Sequence, residues 1–250
     1  MVSRRLDWDG YLLFTFMTVG AVVMVIPFAY IVSNAFKPLN ELFLFPPRFW
    51  VMNPTLQHFQ DLFKVTSASS VPISRYIFNS LVVTGGTVLG SIAVGAMAAY
   101  PLSKHPFPGA GFIFSLIVYS LMFSAAVMAI PQYLIITSVG WWIDTYWVLI
   151  IPALASPVGV FLMKQFLDQI PDALLEAARI DGAGEWKTFT RVVLPHLKPA
   201  ITTLVLVSFI TAWNDPNGSA MYISSEEKRT LPFVLSTLSG GQGTIARTGV

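Results

Sequence analysis

The segment Leu175–Ala200, "LEAARIDGAGEWKTFTRVVLPHLKPA", places charges of both signs between two long apolar stretches of the chain. Glycine adopts positive φ without strain and proline removes a backbone donor, so Gly182 divides the segment while Pro195 and Pro199 close it. The pattern predicts two short helices joined by a narrow corner. What kind of protein carries this hairpin depends on the apolar stretches around it.

Those stretches are long and free of charge. Only 11% of the 250 residues are Asp, Glu, Lys or Arg, against roughly a quarter in an ordinary soluble domain. Charged residues are absent from windows 11–36, 76–103, 106–143 and 145–163. The last window is close to the length needed to cross a bilayer, and the other three exceed it. A soluble core of this size could not bury four such windows, so the predicted fold class is an all-α polytopic membrane protein.

We expect one transmembrane domain over residues 1–250, with the hairpin at 171–196 on one side of the membrane. The first apolar run is longer than the h-region of a signal peptide, so it is predicted to stay as a helix. The tail after 230 is apolar only in patches and is expected to begin a sixth helix without completing it. The five predicted spans are 11–33, 76–100, 112–136, 145–166 and 199–213.

Prolines and glycines modify these spans. Pro131 is expected to break the third helix near its end, and Pro152 and Pro157 lie inside the fourth, where neighbouring helices or water can satisfy the freed carbonyls. Gly86 and Gly90 in the second helix allow close approach of a neighbouring backbone. Residues 37–63 are predicted to be a connecting loop with one short amphipathic helix near 56–63.

Helical spacing assigns the faces of the predicted hairpin. Pro171 and Asp172 suit the first turn of its first helix. Spacing leaves two hypotheses open, a hairpin lying on the bilayer surface and a compact knob that fits a cleft of a partner. The small, mostly apolar face of the first helix is expected to carry Leu174, Ala177, Ala178 and Asp181, and one side of the second helix Trp186, Phe189 or Thr190, and Val193.

The segment "EAARIDGAGEWKTFTRVVLPHLKP" resembles the EAA loop of ABC-importer permeases, whose pattern is E-A-A-x-x-D-G-A, then Phe, then L-P and a further Pro. The stretches "NSLVVTGGTVLGSIAVGAMAAYPLSK" and "FITAWND" are similar to the second and fifth helices of the carbohydrate-uptake subfamily, the group of the smaller maltose permease subunit. The matching positions of the loop are Glu176, Ala177, Ala178, Asp181, Gly182, Ala183, Phe189, Leu194, Pro195 and Pro199.

The resemblance implies a type I importer-like helical bundle in a bacterial or archaeal cytoplasmic (inner) membrane, with a cytoplasmic N-terminus. It implies that the hairpin docks into a cleft of an ATP-binding subunit, with Glu176 as the charged contact and Gly182 as the corner. Relatives continue for about one more membrane helix, so we expect the sequence to be truncated after Val250. The expected ATPase-coupling residues are Glu176, Ala177, Ala178, Asp181, Gly182, Ala183, Phe189, Leu194 and Pro195.

The partners implied by the resemblance are a second permease subunit in a heterodimer, two ATP-binding subunits, an extracytoplasmic solute-binding protein and membrane lipid. ATP and Mg would be held by the ATP-binding subunits, and this chain is expected to bind no cofactor. No nucleic acid partner is expected. The implied cargo is a sugar, an oligosaccharide or a related polyol.

Sugars are recognised by hydrogen bonds and aromatic stacking, so polar and aromatic residues inside the spans are candidates for the solute pathway. The same residues can also join helices to one another, and both interpretations stay open. Asp215, an acid near the end of a span, is either functional or a cap on the fifth helix. The candidate pathway residues are Asn79, Tyr119, Ser124, Gln132, Tyr133, Trp213 and Asn214.

Other chemistry is not indicated by the sequence. The chain has no cysteine, and His58, His105 and His196 lack metal-ligand spacing, so we expect neither a metal site nor catalytic residues. No phosphate-binding glycine loop is present, and "SGGQG" at 239–243 is predicted to be a flexible loop. The alternative function is an ATP-independent secondary transporter or channel. Neither an internal repeat nor an acid well within a span supports it.

Overall fold

The computed structural model describes residues 8–61 and 71–239, and all regular structure within these ranges is helical. The predicted all-helical class is therefore confirmed for the described residues. The predicted loop at 239–243 lies, beyond its first residue, outside the described residues, as does the tail that follows. The chain divides into two compact units, one within 1–70 and one within 71–250.

The first unit is dominated by α1, Trp8–Ala35, which corresponds to the span predicted at 11–33. Its segment Gly10–Ala35 is long and apolar enough to cross a membrane, and its side chains are exposed along almost the whole length. Pro27 lies inside the helix without ending it. A helix that is apolar on all sides and unburied in its own chain is suited to lipid or to another membrane helix.

The segment after α1 is more ordered than the predicted loop. It contains α2, Leu39–Leu42, and a helical turn at 57–61 inside the predicted helix. The Glu41 carboxylate accepts hydrogen bonds from the backbone N–H groups of Met52 and Asn53, both at 3.1 Å, and the bond from Met52 contributes most to lowering the pKa of Glu41. Buried Glu41 therefore holds this loop in place. The spacing of apolar residues in the sequence did not indicate this contact.

The second unit is organised by α3, Ile73–Lys104, an unbroken helix of 32 residues. At 1.5 Å per residue it is about 48 Å long, more than enough to cross a bilayer. The other helices of the unit are α4 Ala110–Ser120, α5 Ala125–Val139, α6 Trp147–Leu154, α7 Pro157–Leu167, α8 Asp172–Ile180, α9 Glu185–His196, α10 Lys198–Trp213, α11 Asn217–Tyr222 and α12 Leu231–Ser239. Of these, α4, α6, α7, α10 and α12 pack along α3, so α3 defines two ends of the unit, an Ile73 end and a Lys104 end.

Most of the predicted spans are bent pairs of helices. In the described residues only α1 and α3 are single helices of spanning length, and the number rises to five if each bent pair counts as one span. The bends are 110° between α4 and α5, 41° between α6 and α7, and 74° between α9 and α10. The sixth helix expected after 230 begins as α12.

The prediction for the third span was wrong about the position of its break. Pro131 lies inside α5, and the chain turns instead between Ser120 and Ala125. The N–H groups of Leu121 and Met122 bond to carbonyls only three residues back, which tightens and ends α4. Ser124 then adopts an extended conformation and starts α5. The turn contains neither Pro nor Gly, so no residue type in it signals a break.

The break in the fourth span follows from a proline and a serine. Pro157 occupies the first turn of α7, where its missing N–H costs nothing. The Ser156 side chain caps that turn by accepting a hydrogen bond from the N–H of Gly159 at 3.2 Å. Pro152, the other proline expected to disturb this span, lies inside α6.

Glycines on α3 allow α6 to pack closely. A Cβ at Gly90 would lie 2.3 Å from Cδ2 of Leu154, and a Cβ at Gly86 would lie 2.8 Å from Cδ1 of Ile150. Both distances are shorter than van der Waals contact, so a side chain at either position would force the end of the Leu154 or Ile150 side chain to move. The expected close approach to these two glycines is observed, but it is made by side chains of α6 and not by its backbone.

Polar bonds hold the Ile73 end together. The Asn79 amide donates to the carbonyls of Glu227 and Arg229, each at 2.8 Å, and accepts from the Tyr146 hydroxyl at 2.7 Å. The segment 223–230 is thereby fixed to the start of α3. Asn79, a candidate pathway residue, is fully buried and uses its amide for these contacts.

Asp144 joins the same segment to the loop before α6. Its carboxylate accepts from the backbone N–H groups of Ser224 and Ser225 and from Lys228 Nζ at 3.0 Å. Partial burial alone would raise the pKa of Asp144, but the bonds from Ser225 and Lys228 outweigh it and hold the pKa at about 2. The carboxylate is thus charged throughout the physiological pH range.

The contact between α3 and α6 generates a prediction. Gly90→Val should lower the thermal unfolding midpoint in detergent by roughly 3–10 °C, because overpacking against Leu154 costs about 1–3 kcal/mol. Gly85→Val is the matched control, since a Cβ at Gly85 meets nothing within 4 Å. The two substitutions change helix propensity by the same amount, so equal midpoints would contradict the proposed contact.

Candidate functional site

The hairpin corner is a Schellman motif built from the residues of the EAA pattern. The N–H of Ala183 donates to the carbonyl of Ala178 at 2.9 Å, and the N–H of Gly182 donates to that of Arg179 at 3.0 Å. These two bonds define the motif, which requires a left-handed residue after the helix. Gly182 is that residue, with φ of 74°, as predicted. Its role is conformational, because a Cβ there would meet no atom within 4 Å.

The buried side of α8 is not the small, mostly apolar face that helical spacing identified. Leu175 is buried and Ala178 is half-buried, whereas Leu174, Ala177 and Asp181 are exposed. The expected face was chosen from apolar spacing without knowledge of where the following helix returns. Because α9 packs back on the Leu175 side, that stripe becomes the interior of the hairpin.

The interior of the hairpin is continuous with the core of the second unit. Leu175, Phe189 and Val193 belong to the same buried cluster as residues of α3, α7 and α10. Phe189 packs against the ring of Tyr100 on α3, with ring centroids 5.3 Å apart. The remaining buried members of this cluster are Ala96, Ala99, Val160, Met163, Leu167, Ile170, Leu197, Ala200 and Leu204.

Polar contacts fix the start of the hairpin to the Lys104 end of α3. Lys104 Nζ donates to the carbonyl of Ile170 at 2.6 Å and to Oδ1 of Asp172 at 2.7 Å. The Ser103 hydroxyl donates to Oδ1 of Asp168 at 2.6 Å. The last turn of α3 therefore holds the chain just before and at the first residue of α8.

Glu185, the first residue of α9, fixes the second helix of the hairpin. Its carboxylate accepts from the Tyr100 hydroxyl at 2.9 Å and from Arg179 Nη2 at 3.1 Å, and His105 Nε2 lies 3.3 Å away. The bond from Tyr100 contributes most to lowering the pKa of Glu185. Because the pKa of Glu185 is lower in the folded chain than in the unfolded chain, ionised Glu185 stabilises the folded state. This stabilisation is fully present at pH values above the pKa of the unfolded chain, and it is lost as the pH falls through the lowered pKa of the folded chain.

A π-helical segment at Phe189–Val193 lies inside α9. Pro195 has no N–H to donate, and the N–H of Leu194 bonds to the carbonyl of Phe189, five residues back. The chain then bends at Leu197, and Pro199 lies in the first turn of α10. Proline thus shapes the second arm and starts the next span, as the sequence indicates.

The predicted coupling residues divide between the surface and the interior of the hairpin. Glu176 and Ala177 are exposed beside Ile180, whose side chain is 86% exposed, and Trp186 is 69% exposed. Asp181, Gly182 and Pro195 are also exposed, Ala178, Ala183 and Leu194 are half-buried, and Phe189 is buried. An exposed tip that combines apolar side chains with a carboxylate has the character of a protein-binding surface.

A second candidate site is a cleft of about 550 Å³ between α3, α5, α6, α10, α11 and the start of α7. It reaches the break between α6 and α7 and is lined largely by small, apolar and hydroxyl-bearing residues. Its volume lies within the range of small-molecule sites. We refer to it as the α6–α7 cleft.

Of the predicted pathway residues only Gln132 lines the α6–α7 cleft directly. Tyr133 stacks on Tyr222, which lines the cleft, with ring centroids 6.0 Å apart. Tyr119 and Ser124 are exposed at the turn between α4 and α5. At the end of α10, Trp213 stacks on Phe209 and the Asn214 amide donates to the carbonyl of Ile210.

Several site residues escaped the sequence analysis. Tyr100, Lys104 and Glu185 fix the hairpin, yet none of them belongs to the EAA pattern as quoted. Thr87 and Thr230 line the cleft, although threonines inside membrane spans are too common to be singled out. Asp215 does not cap the fifth span as one interpretation held: it caps the start of α11 through the N–H groups of residues 217 and 218, and it also lines the cleft.

Comparison with known families gives one match over most of the chain. Residues 10–221 match the family described as "Binding-protein-dependent transport system inner membrane component". Among curated proteins, Protein LplC of Bacillus subtilis is 35% identical over 87% of this chain and 70% of its own length. The polygalacturonan/rhamnogalacturonan transport system permease protein YtcP of the same organism is 27% identical over 100% of this chain and 85% of its own length.

The fold is also similar to a solved one. A chain from the crystal structure of a bacterial ABC transporter involved in the import of the acidic polysaccharide alginate superposes with a TM-score of 0.78. The identity is 22%, and the match covers 96% of this chain and 82% of that chain.

The anchoring of the hairpin generates a prediction. Glu185→Ala should raise amide hydrogen exchange in residues 172–196 by roughly threefold to tenfold, because it removes charge-assisted bonds contributing about 1 kcal/mol at a half-exposed position. Glu176→Ala is the control, since Glu176 is also an exposed glutamate of the hairpin but the bonds from Tyr100 and Arg179 go to Glu185. Unchanged exchange in Glu185→Ala would show that the apolar core alone fixes the hairpin.

Proposed function

This chain belongs to the family of binding-protein-dependent transport system inner membrane components, and we propose that it is the membrane-spanning subunit of an ATP-driven importer of sugars, oligosaccharides or related polyols. The names of YtcP and of the alginate transporter, both concerned with polysaccharides, support the substrate class. The ABC importer permease fold supports the mode of transport. This proposal takes the place of the alternative, an ATP-independent transporter or channel.

One observation carries the coupling role of the hairpin: its interior belongs to the same core as α3, α7 and α10. A hairpin joined to the spans by flexible loops would move without moving them. Here a displacement of α8 or α9 must displace the buried side chains of α3, α7 and α10, because packed interiors transmit strain. Motion imposed at the exposed tip would therefore reach the membrane-spanning part.

The partner at this tip is proposed to be an ATP-binding subunit, which would hold ATP and Mg and carry out hydrolysis. Glu176, Ala177 and Ile180 offer it a carboxylate beside an apolar surface. Phe189 and Leu194 would contribute through the shape of α9. A complete importer would further contain a second permease subunit, a second ATP-binding subunit and an extracytoplasmic solute-binding protein.

The proposal places the hairpin and the N-terminus on the cytoplasmic side of a bacterial or archaeal inner membrane. The predicted cytoplasmic segment at 164–198 carries five Lys and Arg residues, as expected for a short cytoplasmic loop. The Ile73 end, with segment 223–230, would then face the binding protein.

The test is co-purification of the tagged chain with its ATP-binding subunits from membranes. Gly182→Val should lower the recovered ATPase several-fold, because a β-branched residue at φ of 74° strains the Schellman corner. Gly182→Asn should retain most of it, since asparagine enters the left-handed region more readily.

Gly184→Val is the matched control for this test. Gly184 lies two residues further on, with φ of −70°, and a Cβ added to it would meet no atom within 4 Å. Equal recovery of ATPase with Gly182→Val and Gly184→Val, both eluting as folded protein in size-exclusion chromatography, would overturn the role of the corner. Absence of any ATPase with the unaltered chain would overturn the proposed function itself.

A further inference from the structure

The first compact unit arranges polar and apolar side chains in the reverse order of a water-soluble fold. Its charged residues Lys37 and Glu41 are only 2% and 8% exposed, whereas Phe43, Phe45 and Trp50 are 85%, 94% and 70% exposed. Soluble proteins seldom bury Lys or Glu and seldom expose several large aromatic side chains in one short segment. The unit is therefore not suited to a wholly aqueous setting.

The buried charges are bonded within the unit. Lys37 Nζ donates to Oδ1 of Asn34 at 2.6 Å and also to the carbonyl of Arg48. The same ammonium lies 5.1 Å from the centroid of the Tyr30 ring. Together with the bonds that Glu41 accepts, these contacts turn the charged groups inward and leave the surface to apolar side chains.

The exposed part of this segment carries little charge. From residue 42 to residue 60, Arg48 is the only Lys, Arg, Asp or Glu residue in the sequence. Its side chain is exposed. A guanidinium close in sequence to aromatic rings suits the boundary of a bilayer, where phosphate groups accept its hydrogen bonds and the rings lie at headgroup level.

Contacts with α1 determine where the aromatic side chains begin. The Ser33 hydroxyl donates to the carbonyl of Phe49 at 2.7 Å, and the rings of Phe49 and Tyr30 have centroids 5.5 Å apart. The Trp50 ring packs edge-on against Phe49, with centroids 5.1 Å apart. Trp50 is therefore held beside the last turns of α1.

Those turns lie at the edge of a bilayer when α1 crosses it. The apolar segment Gly10–Ala35 has 26 residues, which at 1.5 Å per residue give a length of about 39 Å. A hydrocarbon core is about 30 Å thick, so the ends of this segment reach the headgroup region. Because the segment is unburied, its lipid-facing surface extends to the turns that hold Trp50.

We propose that residues 39–52 are a membrane anchor, in which Phe43, Phe45 and Trp50 enter the boundary between headgroups and acyl chains at the end of α1. The occupant of this surface is phospholipid. In the orientation proposed above, the anchor lies in the extracytoplasmic leaflet. This role is separate from the coupling of the hairpin to ATP hydrolysis.

The inward-facing charges favour lipid over a protein as the occupant. Protein interfaces carry hydrogen bonds in a polar rim, and the ammonium of Lys37 and the carboxylate of Glu41 are engaged inside the unit. Aromatic side chains with few polar neighbours instead resemble the apolar face of a segment lying in the membrane interface. A solute-binding protein or a second permease subunit on this surface is a distinguishable outcome of the test.

The chain has no cysteine, so single nitroxide labels report on chosen positions. Phe43→Cys, Phe45→Cys and Trp50→Cys probe the anchor, and Gln57→Cys and Gln60→Cys are controls at exposed polar positions of the same unit. Each variant is labelled in phospholipid nanodiscs that contain the co-expressed transporter subunits. Power saturation measures the accessibility of the label to oxygen, which concentrates in hydrocarbon, and to a nickel chelate, which stays in water.

We expect the ratio of oxygen to nickel accessibility to be at least threefold higher at the three aromatic positions than at Gln57 and Gln60. Nickel accessibility at the aromatic positions as high as at the controls would place them in water and overturn the anchor. Low accessibility to both reagents would show that protein covers these positions, and it would overturn the anchor equally.

The buried acid has its own matched pair of variants. Glu41→Ala removes the acceptor for the N–H groups of Met52 and Asn53, whereas Asn40→Ala changes an exposed neighbour on α2. With the label at Trp50, the accessibility ratio should fall at least twofold in Glu41→Ala and stay unchanged in Asn40→Ala. Equal ratios in the two variants would contradict the role of Glu41 in holding the anchor.

These readouts are independent of the test of the hairpin. Label accessibility depends on where residues 39–52 lie, and recovery of ATPase depends on the corner at Gly182. A complex that contains ATPase but has its aromatic positions in water would overturn the anchor and leave the proposed function standing. A chain without ATPase whose aromatic positions lie in lipid would do the reverse.

Discussion

A single apolar core that crosses from the membrane-spanning helices into the hairpin determines the rest of this structure. Met163, Leu167 and Leu204 of the spans are buried in the same cluster as Leu175 and Val193 of the hairpin. Burying these side chains together stabilises the hairpin far more than its short helices could do alone. The polar contacts of Lys104 and Glu185 then fix its orientation, and in each of them the carboxylate, that of Asp172 or of Glu185, still reaches water.

The membrane class and most of the helices could be predicted because lipid leaves a chain few choices. Backbone groups in hydrocarbon must bond within the segment, so a long charge-free window is almost always helical. The turn between α4 and α5 escaped prediction because residues 121–124 contain no residue type that breaks a helix. The backbone N–H and C=O groups of this turn can give up their helical hydrogen bonds only where neighbouring elements or solvent offer other partners. Whether such partners are present depends on the tertiary structure.

The two candidate sites differ in how much of them the sequence contains. The corner of the hairpin is a local motif, so the positions of Ala178, Gly182 and Ala183 in the sequence already specify its hydrogen bonds. The cleft brings together residues from α3, α6, α10 and α11, and no spacing along the chain relates them. The Thr87 hydroxyl has no hydrogen-bond partner among the described residues, whereas the hydroxyl of nearby Ser91 donates to a carbonyl of α6. This difference depends on how the helices pack and could not be predicted from the sequence.

The unbroken helix α3 has contacts at both ends of the unit, with Asn79 and Ser80 bonded to the segment before α12 and Tyr100, Ser103 and Lys104 bonded to the hairpin. This arrangement sets the boundaries of any exchangeable module in the molecule. A hairpin transplanted from a relative would meet the wrong hydroxyl and ammonium groups unless the last turn of α3 came with it. In a recombinant protein, whether it arises in evolution or as a laboratory chimera, the segments 100–104 and 168–185 must therefore be exchanged together. This holds although more than sixty residues separate them along the chain.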